Sequence, residues 1–174
     1  AGAKTVVIAT GRNWPDALGG SALAGALDGP LLLTEPGSLP SAVATEIDRL
    51  GAEKAIILGG EAAVAPAVKT ALEGLLGAGT VERIAGDNRY QTADAVALRT
   101  IALLGTSYDG TAFVATGGNF PDALGASPLA AANGWPLLLA HPTSGLSAGT
   151  VAAMADVDEV LILGGTGAVS TAVE

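Results

Sequence analysis

Short apolar runs alternate with longer amphipathic stretches along the chain. Runs of four to six residues rich in Val, Ile and Leu are typical of strands buried on both faces, and the stretches between them carry apolar side chains at helical spacing, several opened by Pro. This alternation predicts an α/β fold: Rossmann-like parallel sheet units with helices on both faces. The predicted strands are residues 5–10, 31–34, 55–58, 80–85, 111–116, 136–140 and 159–163; the predicted helices are 15–27, 40–50, 66–76, 90–104, 121–133 and 148–155, with a short helix ending at 174.

The pattern repeats within the chain. Residues 9–19 read ATGRNWPDALG and residues 115–125 read ATGGNFPDALG, an offset of 106; the later ILGG sequences at 57–60 and 162–165 are offset by 105. This period is longer than the roughly 20–50 residues of a solenoid unit. We therefore predict two tandem repeats, residues 1–80 and 81–174, and expect the chain to be a piece of a longer array.

Charge and composition exclude several classes of protein. The net charge is −9, and residues 100–174 carry six acidic residues without any Lys or Arg, so nucleic-acid binding is not expected. The chain has no Cys, which excludes disulfides and Cys-based zinc sites. No apolar run approaches the ~18 residues of a membrane span.

Polar side chains follow the first strand of each repeat. Asn13 and Asp16, and again Asn119 and Asp122, have the spacing of a capping box, which predicts a self-satisfied helix start. The alternative is a ligand site at the carboxyl ends of parallel strands. Because each turn already holds a carboxylate, sugar hydroxyls or a cation would suit it better than phosphate. Trp14 and Phe120, which occupy one equivalent position, are expected to fill the seam between repeats rather than to stack on sugars.

A second polar cluster lies at residues 83–92. Arg83 and Arg89 flank a glycine turn at a helix start, and we expect them to pair with Asp16, Asp87 or Asp122; the alternative is direct contact with ligand carboxylates or phosphates. Arg12 is the third arginine that falls in a strand-to-helix turn. If the ligand is anionic, these three arginines should contact it.

Signals for catalysis are weak. His141 is the single histidine, no nucleophile-elbow motif is present, and the glycine pairs at 59–60 and 164–165 lack a nucleotide-binding fingerprint and read as tight turns. We assign no catalytic residue, no metal ligand and no cofactor.

Two motifs together resemble the cell wall binding repeat 2 family of bacterial surface proteins. They are TGxNxPDAL, followed by PLLL and ILGG runs, and RxxGxxRYxTA at residues 83–93. The resemblance implies Rossmann-like repeats packed around a pseudo-threefold axis, in secreted cell-surface proteins held non-covalently on the cell wall through an anionic polymer. Carried onto this sequence, the family motif falls on Gly11, Asn13, Pro15, Asp16, Arg83, Gly86, Arg89, Tyr90, Thr92, Gly117, Asn119, Pro121 and Asp122.

We therefore predict a non-catalytic module that anchors a secreted protein to the wall by binding a wall polymer. The alternatives are a small Rossmann-like hydrolase or transferase, and a structural spacer or oligomerisation module. Because the net charge of −9 opposes direct capture of a polyanion, a bridging divalent cation or a different wall component stays open. The expected partners are the wall polymer and further repeats or other copies. The candidate ligand-binding residues are Arg12, Asn13, Asp16, Arg83, Asp87, Arg89, Tyr90, Thr92, Asn119 and Asp122.

Overall fold

Two parallel β-sheets with helices packed on their faces make up the fold. The computed structural model describes residues 2–173. The strands are β1 (Thr5–Thr10), β2 (Leu31–Thr34), β3 (Lys54–Leu58), β4 (Val81–Ile84), β5 (Thr111–Thr116), β6 (Leu137–Ala140) and β7 (Glu159–Ile162). The helices are α1 (Pro15–Ala26), α2 (Ser41–Leu50), α3 (Pro66–Leu76), α4 (Arg89–Leu104), α5 (Pro121–Asn133) and α6 (Ala148–Ala153), with 3₁₀ turns at Gly105–Ser107 and Thr171–Val173.

The strand orders are β2-β1-β3-β4 in the first sheet and β6-β5-β7 in the second, and every pairing is parallel. The predicted α/β class is therefore confirmed. Where a short helix to residue 174 was expected, the structure has only the 3₁₀ turn Thr171–Val173, and residue 174 lies outside the described residues.

The central strands of the first sheet, β1 and β3, are buried on both faces, as their unbroken apolar runs predict. The edge strand β2, which was also predicted to be buried, is only partly so, with Leu33 51% exposed. On β1, Val6 and Ile8 face one way and pack with residues of α2 and α3. Val7 and Ala9 face the other way and pack with residues of α1 and α4. The alternation follows from the two-residue period of a strand.

Helices α1 and α4 lie between the two sheets and join them. Leu18 of α1 and Ala93 of α4 belong to the cluster built on the second sheet, while Leu23 of α1 and Val96 of α4 belong to the cluster of the first. Glycine lets α1 approach α5 closely, since a Cβ on Gly25 would overlap the backbone of Ala131. The two units therefore share one continuous interior.

Strand β4 belongs to the first sheet, although it opens the second predicted repeat. It pairs with β3 in register from Ala55–Val81 to Leu58–Ile84. The helix that follows it, α4, then packs against β6 of the second sheet. The division of the sequence at residue 80 stays a prediction. Among residues 2–173, no helix has both the length and the apolar character that crossing a bilayer requires.

Candidate functional site

The turn after β1 and the turn after β3 meet at the carboxyl ends of the strands in the first sheet. In the order β2-β1-β3-β4, the chain leaves β1 toward β2 on one side and later returns to β3 on the other. The crevice between the carboxyl ends of two such strands is where open α/β sheets bind ligands. Here it holds Asp16, at the start of α1, and Gly59, which directly follows β3.

The predicted capping boxes do not form. Helix α1 starts at Pro15, so its N-cap is Trp14, which has helical φ and ψ and makes no side-chain cap. Asn13 Oδ1 instead accepts from the adjacent Trp14 N–H at 3.0 Å, and Asn119 Oδ1 accepts from Phe120 N–H at 2.9 Å. A capping box needs an N-cap residue with an extended backbone three positions before the acidic residue. For Asp16 that residue would be Asn13, but the N-cap of α1 is Trp14, so the spacing is one residue short.

The carboxylates of Asp16 and Asp122 do not cap their helices but pack closely against a glycine in the neighbouring turn. A Cβ on Gly59 would overlap Asp16 Oδ2, and a Cβ on Gly164 would lie 2.5 Å from Asp122 Oδ2. Both glycines also have positive φ, +94° and +99°, which side chains rarely adopt. The expectation that the glycine pairs form tight turns is confirmed at these two positions.

Asp16 is the more enclosed of the two carboxylates. Burial raises the pKa of its carboxyl group, and the nearby positive charge of Arg89 opposes that rise. Asp122, by contrast, is exposed. The two copies of the turn therefore differ in environment although their sequences match.

Arg89 connects the two turns. Its Nη1 donates to the carbonyl oxygen of Gly117, in the second turn, at 2.8 Å. Its guanidinium carbon lies 5.0 Å from the ring centroid of Trp14, in the first turn, a distance typical of a cation–π contact. Trp14 and Phe120 in turn place their ring centroids 6.1 Å apart, so the two equivalent aromatics do meet between the units.

Arg83 was expected to pair with an aspartate, but among residues 2–173 its guanidinium meets backbone carbonyls instead. Nη1 donates to the carbonyl oxygen of Gly59 at 2.6 Å and Nη2 to that of Val64 at 2.8 Å. The guanidinium thus closes the turn after β3. The expectation of an Asp partner was wrong because carbonyl oxygens, which every residue carries, cannot be read from a charge pattern.

Arg12 pairs with Glu35 on the surface. Nε and Nη2 donate to the two carboxylate oxygens at 2.7 and 2.9 Å. All three arginines that were expected to meet an anionic ligand are thus engaged within the protein. Arg12 lies instead on the rim of a separate, mainly apolar groove of about 290 Å³ between the two turns, which Trp14, Leu33, Phe120 and Leu124 help to line.

The start of α4 holds the cap that sequence reasoning placed elsewhere. Asn88 is the N-cap, and its Oδ1 accepts from the N–H groups of Tyr90 and Gln91 at 3.0 and 3.1 Å. Gln91 Oε1 accepts from the Asp87 N–H at 2.8 Å, and Thr92 Oγ1 accepts from the Gly86 N–H at 3.1 Å. An Asn followed three residues later by Gln is itself a capping signal, so the sequence contained it.

A polar cavity of about 220 Å³ lies beside the crevice. Of the predicted site residues, Asn13, Asp16, Asp87, Arg89 and Thr92 line it, together with Gly60, Ala62 and Ala63 from the turn after β3. Tyr90 lies against Gly117 and near His141 instead, Arg83 faces the turn after β3, and Asn119 and Asp122 are exposed on the second turn. Within residues 2–173, no three His, Asp or Glu side chains converge as a metal site would require.

Comparisons with known proteins agree on one family. The family model for cell wall binding domain 2 (CWB2) matches residues 1–69 and 83–174. The chain is 33% identical over 173 residues to the N-acetylmuramoyl-L-alanine amidase LytC of Bacillus subtilis (strain 168), covering 98% of this chain and 33% of the amidase. It is also 33% identical over 174 residues to the amidase enhancer of that organism, covering 98% and 22%.

Solved structures show the same fold. Cwp8 from Clostridium difficile superposes with a TM-score of 0.84 at 30% identity, over 99% of this chain and 28% of Cwp8. Cwp6 from Clostridium difficile superposes with a TM-score of 0.88 at 25% identity, over 98% of this chain and 26% of Cwp6. The chain spans a third or less of the length of each of these relatives.

Proposed function

The chain belongs to the cell wall binding domain 2 family, and from this membership we propose that it anchors a secreted protein non-covalently to the bacterial cell wall by binding a wall polymer. Domains of this family are binding modules rather than catalytic domains. Membership therefore supports a cell-wall partner and a cell-wall location. The alternative of a small hydrolase or transferase thereby loses its support.

We place the polymer site in the polar cavity at the carboxyl ends of β1, β3 and β4. The observation that carries this choice is convergence: Asn13 and Asp16 come from one end of the sequence and Asp87, Arg89 and Thr92 from about seventy residues later, yet all five line one cavity. Its place beside the switch point of the sheet is where α/β folds bind ligands.

The chemistry of the cavity favours sugar hydroxyl groups over phosphate. Asp16 and Asp87 offer carboxylate oxygens, which accept from hydroxyls, and Asn13 presents an amide. Among the described residues that line the cavity, Arg89 is the one basic side chain, and it already binds the Gly117 carbonyl and the Trp14 ring. A phosphate would therefore meet two carboxylates with one engaged cation, on a chain whose net charge is −9.

Co-sedimentation with purified cell walls tests the proposal. An Asp16→Asn, Asp87→Asn double variant should bind at least ~10-fold more weakly, since two charge-assisted hydrogen bonds would be replaced by weaker neutral ones. The matched control is Asp48→Asn on α2, an exposed carboxylate far from the cavity in the fold. Circular dichroism should show that all variants keep the fold.

The outcomes separate the alternatives. Wild-type binding that survives EDTA supports direct contact, whereas binding lost in EDTA shows a cation-bridged mode. Walls stripped of their secondary polymers should retain less protein than intact walls. No binding to intact walls in either buffer, also when the chain is part of a three-repeat protein, would leave only the spacer role.

A further inference from the structure

A larger cavity lies at the opposite end of the first sheet from the polar cavity. It forms where the amino-terminal ends of β1, β3 and β4 meet the carboxyl-terminal parts of α1 and α4, and its volume is about 400 Å³. We call it the basal cavity. Small-molecule sites are typically clefts of roughly 300–1,000 Å³ with apolar walls and a few polar groups that fix the orientation of the ligand.

The wall of the basal cavity is largely apolar. Ile56 of β3 is 3% exposed and belongs to the cluster between the first sheet and helices α1 and α4. Leu27 and Leu103 come from the ends of α1 and α4, and Leu103 is 38% exposed. A ligand that covers these side chains with an apolar group would remove apolar surface from water, which is favourable.

Two basic side chains and one acidic side chain also line the cavity. Lys54 lies on the same face of β3 as Ile56, because side chains two positions apart on a strand point the same way. Arg99 of α4 places its Nε 3.4 Å from Glu82 Oε1 of β4, a single long contact. With two positive charges and one negative, the cavity matches a ligand that carries one negative charge.

Lys54 differs from the other basic residues in having no partner within the protein. Among residues 2–173 it makes no ion pair and no side-chain hydrogen bond, although the chain has 17 acidic residues against 8 basic ones. The other basic side chains that do not line this cavity all have partners: Lys4, Arg12, Arg49, Lys69, Arg83 and Arg89. The Lys54 ammonium group is therefore available to an anion.

The second unit shows that the fold does not require a cation at this place. Thr5 pairs with Lys54 in the first sheet, and Thr111 pairs with Glu159 at the same point of the second. A carboxylate thus takes the position of Lys54. The cavity at this end of the second unit is lined by three aspartates, and residues 100–174 contain no Lys or Arg. The positive charge of the basal cavity is particular to the first unit.

We propose that the basal cavity binds a monocarboxylate with an apolar side chain, as found in an amino acid or at the carboxyl terminus of a peptide. The carboxylate lies between Lys54 and the Arg99 guanidinium, and the apolar side chain covers Ile56 and Leu103. Phosphate fits less well, because Glu82 repels its second charge and the apolar wall stays uncovered. This site is separate from the polar cavity and does not depend on wall binding.

Titration of the chain, followed by amide NMR, tests the site. L-Leucine and N-acetyl-L-leucine should bind with a Kd of about 1 mM or tighter and shift the amides of residues 54–56 and 80–82. N-acetyl-L-leucinamide, which lacks the carboxylate, should bind at least ~10-fold more weakly, since it loses the charge-assisted hydrogen bonds. Both orders of affinity support the site: tighter binding of L-leucine identifies a free amino acid as the ligand, and tighter binding of N-acetyl-L-leucine identifies a peptide carboxyl terminus.

Substitutions locate the binding groups. Lys54→Gln and Arg99→Gln should each weaken the binding of N-acetyl-L-leucine by about 3–10-fold, a loss reduced from that of a buried charged hydrogen bond because both side chains are partly solvated. The matched control is Lys69→Gln on α3, a lysine that does not line the cavity. Circular dichroism should show that all three variants keep the fold.

Three results would overturn the proposal. The first is that neither leucine compound shifts the amides around the basal cavity. The second is that N-acetyl-L-leucinamide or inorganic phosphate binds there as tightly as N-acetyl-L-leucine. The third is that Lys69→Gln weakens binding as much as Lys54→Gln does.

Discussion

Replacing Arg89 should loosen the joint between the two units. Arg89→Ala removes the 2.8 Å hydrogen bond to the Gly117 carbonyl and the contact with the Trp14 ring, whose centroid lies 5.0 Å from the guanidinium. A hydrogen bond from a charged donor contributes about 1.5–3 kcal/mol, and a cation–π contact about 0.5–2 kcal/mol. Because the two share one side chain they will not add fully, so we expect a loss of about 2–4 kcal/mol.

That loss should be visible in thermal unfolding. For a domain of 150–250 residues, each kcal/mol moves the melting temperature by about 2–4 °C, so Arg89→Ala should melt about 4–16 °C lower. Circular dichroism at pH 7 gives the midpoint, and guanidinium titration gives the free energy of unfolding. Arg89→Lys should fall between the two proteins, since it keeps the charge but loses the planar stacking group.

Arg49→Ala is the matched control. Arg49 also donates to a partner through two nitrogens, to Glu46 at 2.7 Å each, but this pair is exposed on α2 and contacts neither unit boundary nor cavity. Its loss should scarcely change the melting temperature, as is usual for surface pairs. If Arg89→Ala melts no lower than Arg49→Ala, the reasoning about the joint is wrong.

Three further substitutions test separate parts of the structure. Gly59→Ala should cost about 1–3 kcal/mol in denaturant titrations, because φ is +94° and the new Cβ would overlap Asp16 Oδ2; unchanged stability would contradict the turn geometry. Leu23→Ala should cost about 2–5 kcal/mol and Leu129→Ala under about 1, since only the first is buried; equal losses would contradict the asymmetry between the units. Burial raises the pKa of the Asp94 carboxyl group above its value in the unfolded chain, so the ionised carboxylate opposes folding. The free energy of unfolding should therefore fall as pH rises from about 4. Asp94→Asn should flatten this fall, and an unchanged pH profile of stability would refute the assignment to Asp94.

The strands and helices were predictable because their signals are local. Runs rich in β-branched and aliphatic residues marked most strands, and Pro at the first helical position marked the starts of α1, α3 and α5. The internal repeat then showed that the two units share one fold. The strand and helix signals depend on residues a few positions apart, so tertiary packing had little left to alter in them.

The details of the candidate site were less predictable. The capping box at Asn13 failed because a shift of one residue in the helix start changes which N–H the side chain meets. The partners of Arg83 were missed because backbone carbonyls leave no trace in the sequence. The cap at the start of α4 was readable in the sequence, since Asn88 and Gln91 have the three-residue spacing of a capping pair.

The sequence by itself determined the architecture and the family, since both follow from hydrophobic period, turn residues and repeated motifs that survive without any long-range contact. Only the tertiary structure decided which copy of a repeated residue is enclosed. Asp16 and Asp122 stand in nearly identical turns, yet α4 covers the first and leaves the second exposed. Burial is a property of what packs against a residue, and here the packing partner lies some seventy residues further along the chain, beyond the reach of local pattern.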